Sequence, residues 1–382
     1  MIPYGRQSIS QADVDAVLEV LRSDFLTQGP TVPALEAKVA RRVGAEFAVA
    51  VNSATSALHI ACMALDVSLG DEVWTSPNSF VASANCALYC GAKIDFVDID
   101  PDTFCICEKH LEEKLKQRSR TGGALPKVVI TVHFGGQSCN AEEVYKLSKQ
   151  YGFSIIEDAS HALGGLFKGV PIGSCTYSDI TIFSFHPVKI ITTGEGGMAL
   201  TRSKTLHERM GRLRTHGITR TSAVRGFVAA EGEWYYEQLE LGFNYRMTDI
   251  QAALGMSQLD RLDSFLMKRR SLARAYDEKL TNLLVCQNVP AYTESARHLY
   301  PVMVDPKARK RIFDKLRSAG IGVNVHYIPI YWHPYYKALG FNRGYCPNSE
   351  VYYGRAISLP LFPELTGVHQ SYIVDQLQQA IA

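Results

Sequence analysis

Short apolar runs alternate with helical spacing through the first half of the chain. Runs of β-branched and aromatic residues predict strands, and apolar residues three or four positions apart predict the helices between them. The predicted strands are residues 47–52, 72–75, 93–97, 127–132 and 153–157, and the predicted helices are 54–65, 80–90, 108–116 and 141–151. This alternation predicts an α/β fold in which helices cover both faces of a mostly parallel sheet.

The pattern changes after residue 200. Residues 248–280 carry one long helical pattern, and the elements predicted after it are a strand at 299–304, a helix at 307–318, a strand at 323–327 and a helix at 372–381. We therefore predict a large first domain over residues 1–247 and a smaller α+β domain over residues 248–382 that begins with the long helix. The first dozen residues are expected to pack near the smaller domain.

Composition narrows the classes of protein that fit this pattern. Hydrophobic residues make up 46% of the 382 positions and charged residues 20%, which is typical of a folded globular protein. The chain has 40 Lys and Arg residues and 38 Asp and Glu residues. A net charge of only +2 creates no overall positive potential that would attract a polyanion, which argues against a nucleic-acid partner. No apolar run reaches the about 18 residues of a membrane span, so no membrane association is predicted.

The opening residues and the cysteines indicate a cytoplasmic protein. No basic segment followed by an apolar one opens the chain, so no secretory signal is predicted. The nine cysteines include no C-x-x-C pair and are interpreted as reduced, buried thiols. No metal ligands are predicted.

Polar residues stand where two of the predicted strands end. Asn52 and Ser53 close the first strand, and Thr55 and Ser56 open the helix after it; N–H groups and hydroxyls at such a helix start can bind a phosphate, although plain N-capping explains the same residues. Asp158 follows the strand at 153–157 and is either a solvated residue or a carboxylate with a cationic partner.

A third segment places a lysine among aromatic residues. The apolar run Thr181–Phe185 leads to His186 and Lys189, and a glycine-rich turn follows. Burial lowers the pKa of a lysine, and the neutral amine can attack a carbonyl to form a Schiff base. Ser184 lies five residues before the lysine and can hold an anion. A solvated lysine explains the segment equally well, just as capping explains the polar turn at residues 241–247.

Taken together, these segments supply a phosphate cradle, a strand-end carboxylate and an amine. Pyridoxal 5′-phosphate requires these three groups for its phosphate, its ring nitrogen and its aldehyde. The combination predicts that cofactor more strongly than any one segment does.

The segments NSATSALH, EDASHALGG, SFHPVKIITTGEGGM and GFNYRMTDIQAALG resemble those of the DegT/DnrJ/EryC1/StrS family of sugar aminotransferases, and the resemblance covers nearly the whole chain. The family consists of fold-type I pyridoxal phosphate enzymes acting on nucleotide-linked ketosugars. Within it, IPYGRQSIS, SDFLTQGP and WYYEQLELGFNYRM are most similar to the enzymes of the pseudaminic acid pathway.

The resemblance implies a role for each cofactor residue. Lys189 would form the Schiff base with the cofactor and move the proton, and Asp158 would pair with the ring nitrogen. Phe80 would stack on the ring and His161 would reach the ring hydroxyl. The phosphate contacts would be Ala54, Thr55 and Ser184, together with Asn244 of a neighbouring subunit, which makes a homodimer the active unit.

The substrate side is implied in the same way, with alternatives open. Arg246 is a candidate for binding an anionic group of the amino donor or of the substrate. Five further residues lie in segments that line the sugar-nucleotide site in relatives: Tyr4, Thr27, Gln28, His326 and Tyr327. For each of the five, a purely structural role in packing or in a surface loop is the alternative. Some relatives replace the lysine with histidine and become dehydratases; because Lys189 is present, His186 is interpreted as a packed residue or as a supporting hydrogen-bond partner. The basic residues Arg212, Arg214, His216, Arg220 and Arg225 either meet a diphosphate or form a solvated loop.

The resemblance implies transfer of an amino group from L-glutamate to C4 of a UDP-linked 4-keto-6-deoxy-N-acetylhexosamine. One alternative is a different ketosugar, either 3-keto or dTDP-linked. Another is a pyridoxal phosphate-binding regulatory protein without turnover. A dinucleotide-dependent dehydrogenase lacks support, since no G-x-G-x-x-G motif follows the first strand.

Overall fold

The strands of the protein follow the predicted alternation closely. The computed structural model describes residues 1–219, 232 and 234–381. Its strands are β1 (Phe47–Val51), β2 (Glu72–Thr75), β3 (Lys93–Phe96), β4 (Val128–Val132), β5 (Ser154–Asp158), β6 (Leu166–Phe167), β7 (Val170–Pro171), β8 (Ile180–Ser184), β9 (Gly197–Thr201), β10 (Ile218–Thr219), β11 (Glu237–Gln238), β12 (Val285–Cys286), β13 (Thr293–Glu294), β14 (Tyr300–Met303) and β15 (Ala356–Leu359).

The helices in the described part of the chain are distributed among these strands. They are α1 (Gln11–Leu21), α2 (Thr31–Val43), α3 (Ala54–Ala64), α4 (Ala82–Tyr89), α5 (Glu108–Thr121), α6 (Ala141–Tyr151), α7 (Lys204–Leu213), α8 (Asp249–Asp260), α9 (Leu262–Leu280), α10 (Arg309–Ser318), α11 (Pro334–Ala338), α12 (Pro347–Arg355) and α13 (Gly367–Ile381).

The main sheet of the described residues has seven strands in the order β1-β9-β8-β5-β4-β2-β3. Strand β9 pairs antiparallel with β1 and β8, and the other six strands run in one direction. Every residue of β4 and β9 is buried, as expected for strands covered on both faces. The predicted α/β fold is confirmed, and the carboxyl ends of β1, β2, β4, β5 and β8 share one edge.

The C-terminal region has its own apolar cluster. Strands β12, β14 and β15 form an antiparallel sheet, and α10 and α13 pack together beside it. The buried residues of this cluster all lie between Ala273 and Ala380, with Ile2 packed against them. The contact of Ile2 agrees with the expected position of the N-terminus, while the domain boundary at residue 248 stays a prediction.

Two of the predicted elements differ from the structure. The long helix is broken at Arg261, which lies between α8 and α9 and whose guanidinium binds Asp13 and the carbonyl of Ser8. Residues 323–327 form no named strand: only Asn324 pairs, with Ser358, and the segment then turns to line a cavity. No helix in the described ranges has the length and apolar character needed to cross a membrane.

Candidate active site

Five strand ends converge on one cavity of about 880 Å³ at the carboxyl edge of the main sheet. This edge is where open α/β sheets bind their ligands. Ten predicted site residues line the cavity: Tyr4, Ala54, Thr55, Phe80, Asp158, His161, Ser184, Lys189, His326 and Tyr327. The fold therefore brings together residues separated by more than 300 positions in the sequence.

The start of α3 forms a cradle in the cavity wall. Ser53 is the N-cap in an extended conformation, and its hydroxyl accepts the N–H of Ser56 at 3.1 Å. The first N–H groups of a helix have no partner inside it, so those of Ala54 and Thr55 are available to a ligand. Gly197 crosses this turn so closely that an added Cβ would lie 2.4 Å from the nitrogen of Ala54. The capping interpretation is confirmed, and the phosphate cradle stays a prediction that is compatible with it, since the two use different N–H groups.

Asp158 ends β5 as a buried carboxylate with hydroxyl donors on both oxygens. Its Oδ2 accepts the Ser83 hydroxyl at 2.6 Å, and its Oδ1 accepts the Ser160 hydroxyl at 2.6 Å and the Ser160 N–H at 3.2 Å. Ser83 itself is linked to Ser79 at 2.7 Å. These bonds fix the carboxylate and compensate part of its burial, so the alternative of a solvated strand-end residue is wrong.

Lys189 reaches the cavity from the turn after β8. Its N–H donates to the carbonyl of His186 at 2.8 Å, which shapes that turn. Burial lowers the pKa of Lys189 to about 8, and the negative charge of Asp158 opposes part of that shift. The amine thus remains open to the cavity while a much larger fraction of it is neutral near pH 7 than in an ordinary lysine.

His161 is a neutral ring with a defined tautomer. Burial, followed by the charges of Lys189 and His326, holds the pKa of His161 well below its usual value. Its Nδ1 accepts the N–H of Gly135 at 3.3 Å, so the proton is on Nε2, which lies 3.2 Å from the hydroxyl oxygen of Tyr327. The Tyr327 hydroxyl hydrogen is consequently left to donate toward the cavity.

Tyr4, from the N-terminal segment, and His326, from the C-terminal region, lie side by side in the cavity wall. Their ring centroids lie 5.4 Å apart, and His326 Nδ1 is 2.9 Å from the Ser358 hydroxyl. Burial and the charge of Lys189 lower the pKa of His326 to about 3, so this histidine is also neutral. Phe80 lines the cavity as well, and 61% of its surface is exposed.

Four predicted site residues lie outside the cavity of their own chain. Thr27, Gln28 and Asn244 are exposed, and Arg246 is half-buried. Thr27 pairs with Thr248 and Arg246 pairs with Val51 through isolated backbone bridges. The four residues are therefore close to one another, although they do not contribute to the site that their own chain forms.

His186 and the basic stretch take positions that the sequence left open. His186 is exposed on the cavity wall, so its interpretation as a packed residue is wrong. Arg214 is ion-paired with Glu36 and donates to the carbonyl of Ala50 at 2.7 Å, and Arg212 pairs with Glu240 at 3.3 Å. These two arginines lie at the C-terminal end of α7, where they make structural ion pairs, and they do not belong to a solvated loop. His216 is exposed, and Arg220 and Arg225 lie outside the described residues.

Several cavity residues were missed by the sequence reasoning. Ser160 stands two positions after Asp158, a spacing that allows a side chain to bond back to a strand-end carboxylate, so this residue had a local signal. The others lie in or beside segments that were singled out for other residues, and no pattern marked them individually: Ser79, Glu195, Gln251, Asn324 and Val325.

The site fits pyridoxal phosphate. Free N–H groups at the α3 start, in a turn that only a glycine at position 197 leaves undisturbed, match the phosphate end. The fixed carboxylate of Asp158 matches a protonated ring nitrogen, and the amine of Lys189 matches the aldehyde. The neutral ring of His161 and the Tyr327 hydroxyl supply hydrogen-bond donors beside these groups.

Comparison with known proteins also indicates a pyridoxal phosphate-dependent aminotransferase. The model of the DegT/DnrJ/EryC1/StrS aminotransferase family matches residues 7–378. The UDP-4-amino-4,6-dideoxy-N-acetyl-beta-L-altrosamine transaminase of Campylobacter jejuni is 38% identical over 382 residues, covering 99% of this chain and 96% of that protein.

Two solved structures share the fold over nearly their whole length. Helicobacter pylori PseC, an aminotransferase involved in the biosynthesis of pseudoaminic acid, has a TM-score of 0.90 and 32% identity, covering 100% of this chain and 99% of that one. A Streptococcus pneumoniae protein described as a sugar aminotransferase, in its PMP form, has a TM-score of 0.90 and 30% identity, with 100% and 99% coverage. The chain belongs to the DegT/DnrJ/EryC1/StrS aminotransferase family and is a pyridoxal phosphate-dependent sugar transaminase.

Proposed function

We propose that this enzyme transfers the amino group of L-glutamate to C4 of a UDP-linked 4-keto-6-deoxy-N-acetylhexosamine. The observation that carries the proposal is the Lys189 amine, which shares one cavity with Asp158 and the α3 cradle. The 38% identity to the Campylobacter transaminase over almost the full length of both chains supports the sugar class.

Lys189 is the proposed nucleophile and proton carrier. Bound pyridoxal phosphate supplies an aldehyde for the amine and a ring that withdraws electrons from the reacting carbon. Asp158 holds the proton on the ring nitrogen, and the bonds from Ser83 and Ser160 keep its carboxylate in place. The freed Lys189 amine removes a proton from the donor and delivers one to C4 of the sugar; such general acid–base transfer contributes about 10²- to 10⁴-fold.

Tyr4, His326 and Tyr327 are the proposed contacts to the sugar nucleotide. They line the cavity from outside the main sheet, and about 880 Å³ is within the range of roughly 300–1,000 Å³ that small-molecule sites occupy. Since His161 keeps its Nε2 proton directed at Tyr327, the Tyr327 hydroxyl is oriented to donate to an acceptor oxygen of the ligand.

A homodimer is the proposed active unit. Asn244 and Arg246 lie outside their own cavity, and the resemblance assigns Asn244 to the phosphate of a neighbouring subunit. Apolar side chains flank this segment on the surface, including Leu241, which is 74% exposed. The cytoplasmic location stays a prediction.

The substrate is tested with a panel of ketosugar nucleotides and L-glutamate, with 2-oxoglutarate and the aminated sugar measured separately. The expected result is amination at C4 of the UDP-linked 4-keto-6-deoxy-N-acetylhexosamine in preference to 3-keto and dTDP-linked sugars. Preference for one of those sugars would overturn the assigned substrate. Release of 2-oxoglutarate with no aminated sugar from any acceptor would contradict the proposed reaction.

Replacement of the nucleophile tests the catalytic assignment. Lys189→Ala is expected to abolish turnover and to prevent borohydride from linking the cofactor to the chain, while pyridoxal phosphate still binds reversibly. Lys168→Ala, a surface lysine that pairs with Glu142, is the control and is expected to keep activity. Turnover near wild type in the Lys189 variant, or an adduct mapped to another residue, would refute the assignment.

A further inference from the structure

Asp249 is a buried carboxylate that binds a loop more than 200 residues away in sequence. None of its surface is exposed, and it accepts the N–H groups of Gly29 at 2.7 Å, Thr31 at 2.8 Å and Val32 at 3.2 Å. Its own N–H donates to the carbonyl of Leu26 at 3.0 Å. The two carboxylate oxygens thus fix the backbone of residues 29–32, and the Asp249 N–H fixes residue 26.

The segment that precedes Asp249 is attached to the main sheet in the same way. Arg246 forms a backbone bridge with Val51, and Asn52 donates its N–H to the carbonyl of Tyr245 at 2.8 Å. Residues 26–32 and 244–249 therefore form one hydrogen-bonded unit. The unit is attached to the main sheet at the end of β1, next to the cradle at the start of α3. We call residues 26–32 and 244–249 the Asp249 unit.

The Asp249 unit contains all four predicted site residues that do not line their own cavity. Thr27 and Gln28 belong to its first segment, and Asn244 and Arg246 belong to its second. The neighbouring side chains Phe25, Leu26 and Leu241 are apolar and 52%, 48% and 74% exposed, as expected for a surface that another protein covers. A second copy of this chain has a cavity that lacks these four residues.

We propose that Asp249 is a positioning residue: it holds these two segments as one unit, and through that unit it shapes the site that the proposed homodimer builds in the partner's cavity. The proposal rests on the proposed function and adds that Thr27 and Gln28 act in the partner's cavity together with Asn244. Asp249 touches neither cofactor nor substrate and acts only through the backbone that it fixes.

The variant Asp249→Asn weakens the hold of this side chain on the backbone of residues 29–32 with little change in side-chain shape. Two carboxylate oxygens accept three N–H donors, whereas an Asn side chain has one oxygen and places an NH₂ donor against backbone donors. We expect Asp249→Asn dimers to bind pyridoxal phosphate more weakly and to lose most of their activity, and we expect Asp249→Glu to recover part of it.

Mixed dimers of two inactive variants test the proposal directly. In a dimer of one Lys189→Ala chain and one Asp249→Asn chain, the Asp249→Asn chain keeps its lysine and receives an intact Asp249 unit from its partner. Random mixing in equal amounts is therefore expected to restore about one quarter of wild-type activity, since half of the dimers are mixed and each has one complete site. If Asp249 acts within its own chain, both sites of the mixed dimer are defective; mixtures no more active than the parents would overturn the proposal.

Two further variants separate positioning from folding. Asp13→Asn removes another buried carboxylate that ties the N-terminal region to α8, through Ser257 and Gln258, but it does not hold the Asp249 unit. This control is expected to lower the melting temperature while keeping activity.

The double change Thr27→Ala with Gln28→Gly removes only exposed side chains, and glycine suits the φ of 56° at position 28. It is expected to raise the KM for the sugar nucleotide and to be rescued in mixtures with Lys189→Ala; a loss without rescue counts against the proposal.

The readout keeps this test apart from the proposed function. Each mixture is scored as a ratio to wild type, both in full turnover and in the spectral change that L-glutamate alone produces in the holoenzyme. A wild type that responds to L-glutamate but aminates no UDP-linked ketosugar contradicts the proposed substrate. The mixed dimers then still decide the role of Asp249 through the L-glutamate response.

Discussion

At the scale of single residues, the protein combines an amine of lowered pKa with a rigidly held carboxylate. Burial lowers the pKa of Lys189 to about 8, and Asp158 is held by Ser83 and Ser160. The roles proposed for the two residues need opposite charge states: the lysine would react as the neutral amine, whereas the aspartate would keep the ring nitrogen protonated as a carboxylate.

The lowered pKa of Lys189 predicts the pH dependence of cofactor attachment. Since burial disfavours the ammonium, about one amine in ten is neutral at pH 7, against about one in 3,000 for a lysine of ordinary pKa. The rate at which pyridoxal phosphate attaches to the cofactor-free protein is expected to rise with pH and to level off above about pH 8. Stopped-flow absorbance measures this rate; a continued rise to pH 10 would show that the amine is not perturbed.

Asp158→Asn separates charge from hydrogen bonding. The amide keeps the size of the side chain but cannot hold the ring nitrogen protonated, so we expect kcat to fall by about 10²-fold or more. Ser160→Ala removes one donor to Asp158 and keeps the charge; a hydrogen bond to a charged group contributes about 1.5–3 kcal/mol, so a loss of at most roughly 10- to 150-fold, smaller than that of Asp158→Asn, is expected. Steady-state kinetics compares the two variants. Equal effects would indicate that position matters more than charge.

At the scale of elements, the site depends on how closely β9 passes the start of α3. The antiparallel strand β9 lies between β1 and β8, and its first residue, Gly197, pairs with both Val51 and Ser184. One glycine therefore sets the distance between the cradle and the strand that leads to Lys189. A side chain at this position has no space, because the nearest atoms are backbone atoms of Ser53 and Ala54.

Gly197→Ala is expected to damage the cradle. The new Cβ would lie 2.4 Å from the Ala54 nitrogen, so the turn must shift, and both the affinity for pyridoxal phosphate and the melting temperature should fall. Gly211→Ala is the matched control: Gly211 lies in α7 with open space around it, and alanine there is expected to stabilise the protein by about 0.5–1 kcal/mol. Cofactor titration and thermal unfolding measure both effects. Normal cofactor affinity in the Gly197 variant would show that the cradle tolerates the shift.

At the scale of the whole molecule, the N-terminal segment and the C-terminal region meet at the same cavity. Tyr4 contributes one wall and its carbonyl accepts the N–H of Leu361, while His326 and Tyr327 come from the segment beside β15. The residues of the Asp249 unit lie outside this cavity and are surrounded by exposed apolar side chains. A second subunit is thus expected to be part of the working enzyme.

Leu241→Asp is expected to weaken the dimer. Leu241 is 74% exposed three residues before Asn244, and a charge at a covered apolar position is costly to bury. Val368→Asp changes a residue that is 81% exposed at the start of α13 and is expected to leave the assembly unchanged. Sedimentation velocity measures the assembly, and cofactor affinity should fall only for the Leu241 variant. Dissociation caused by both changes, or by neither, would not fit the proposed interface.

The sequence by itself determined the alternating elements and predicted the cofactor residues. Strand and helix periodicity depends on near neighbours, and Asp158, Ser184 and Lys189 stand at or just after strand ends, so an α/β sheet brings them to one edge whatever else the chain does. The match of Ala54, Thr55 and His161 to family segments predicted the rest of the proposed cofactor site, and all three residues line the cavity.

Only the tertiary structure decided what depends on contacts between distant residues. The break at Arg261 involves contacts with Asp13 and Ser8, and Arg214 is bound by Glu36, to which no local pattern assigns it. The joining of the Thr27 and Asn244 segments likewise depends on the hydrogen bonds of Asp249. Such pairings join residues about 180 to 250 positions apart, and periodicity carries no information at that range because it reports only which face of an element is buried.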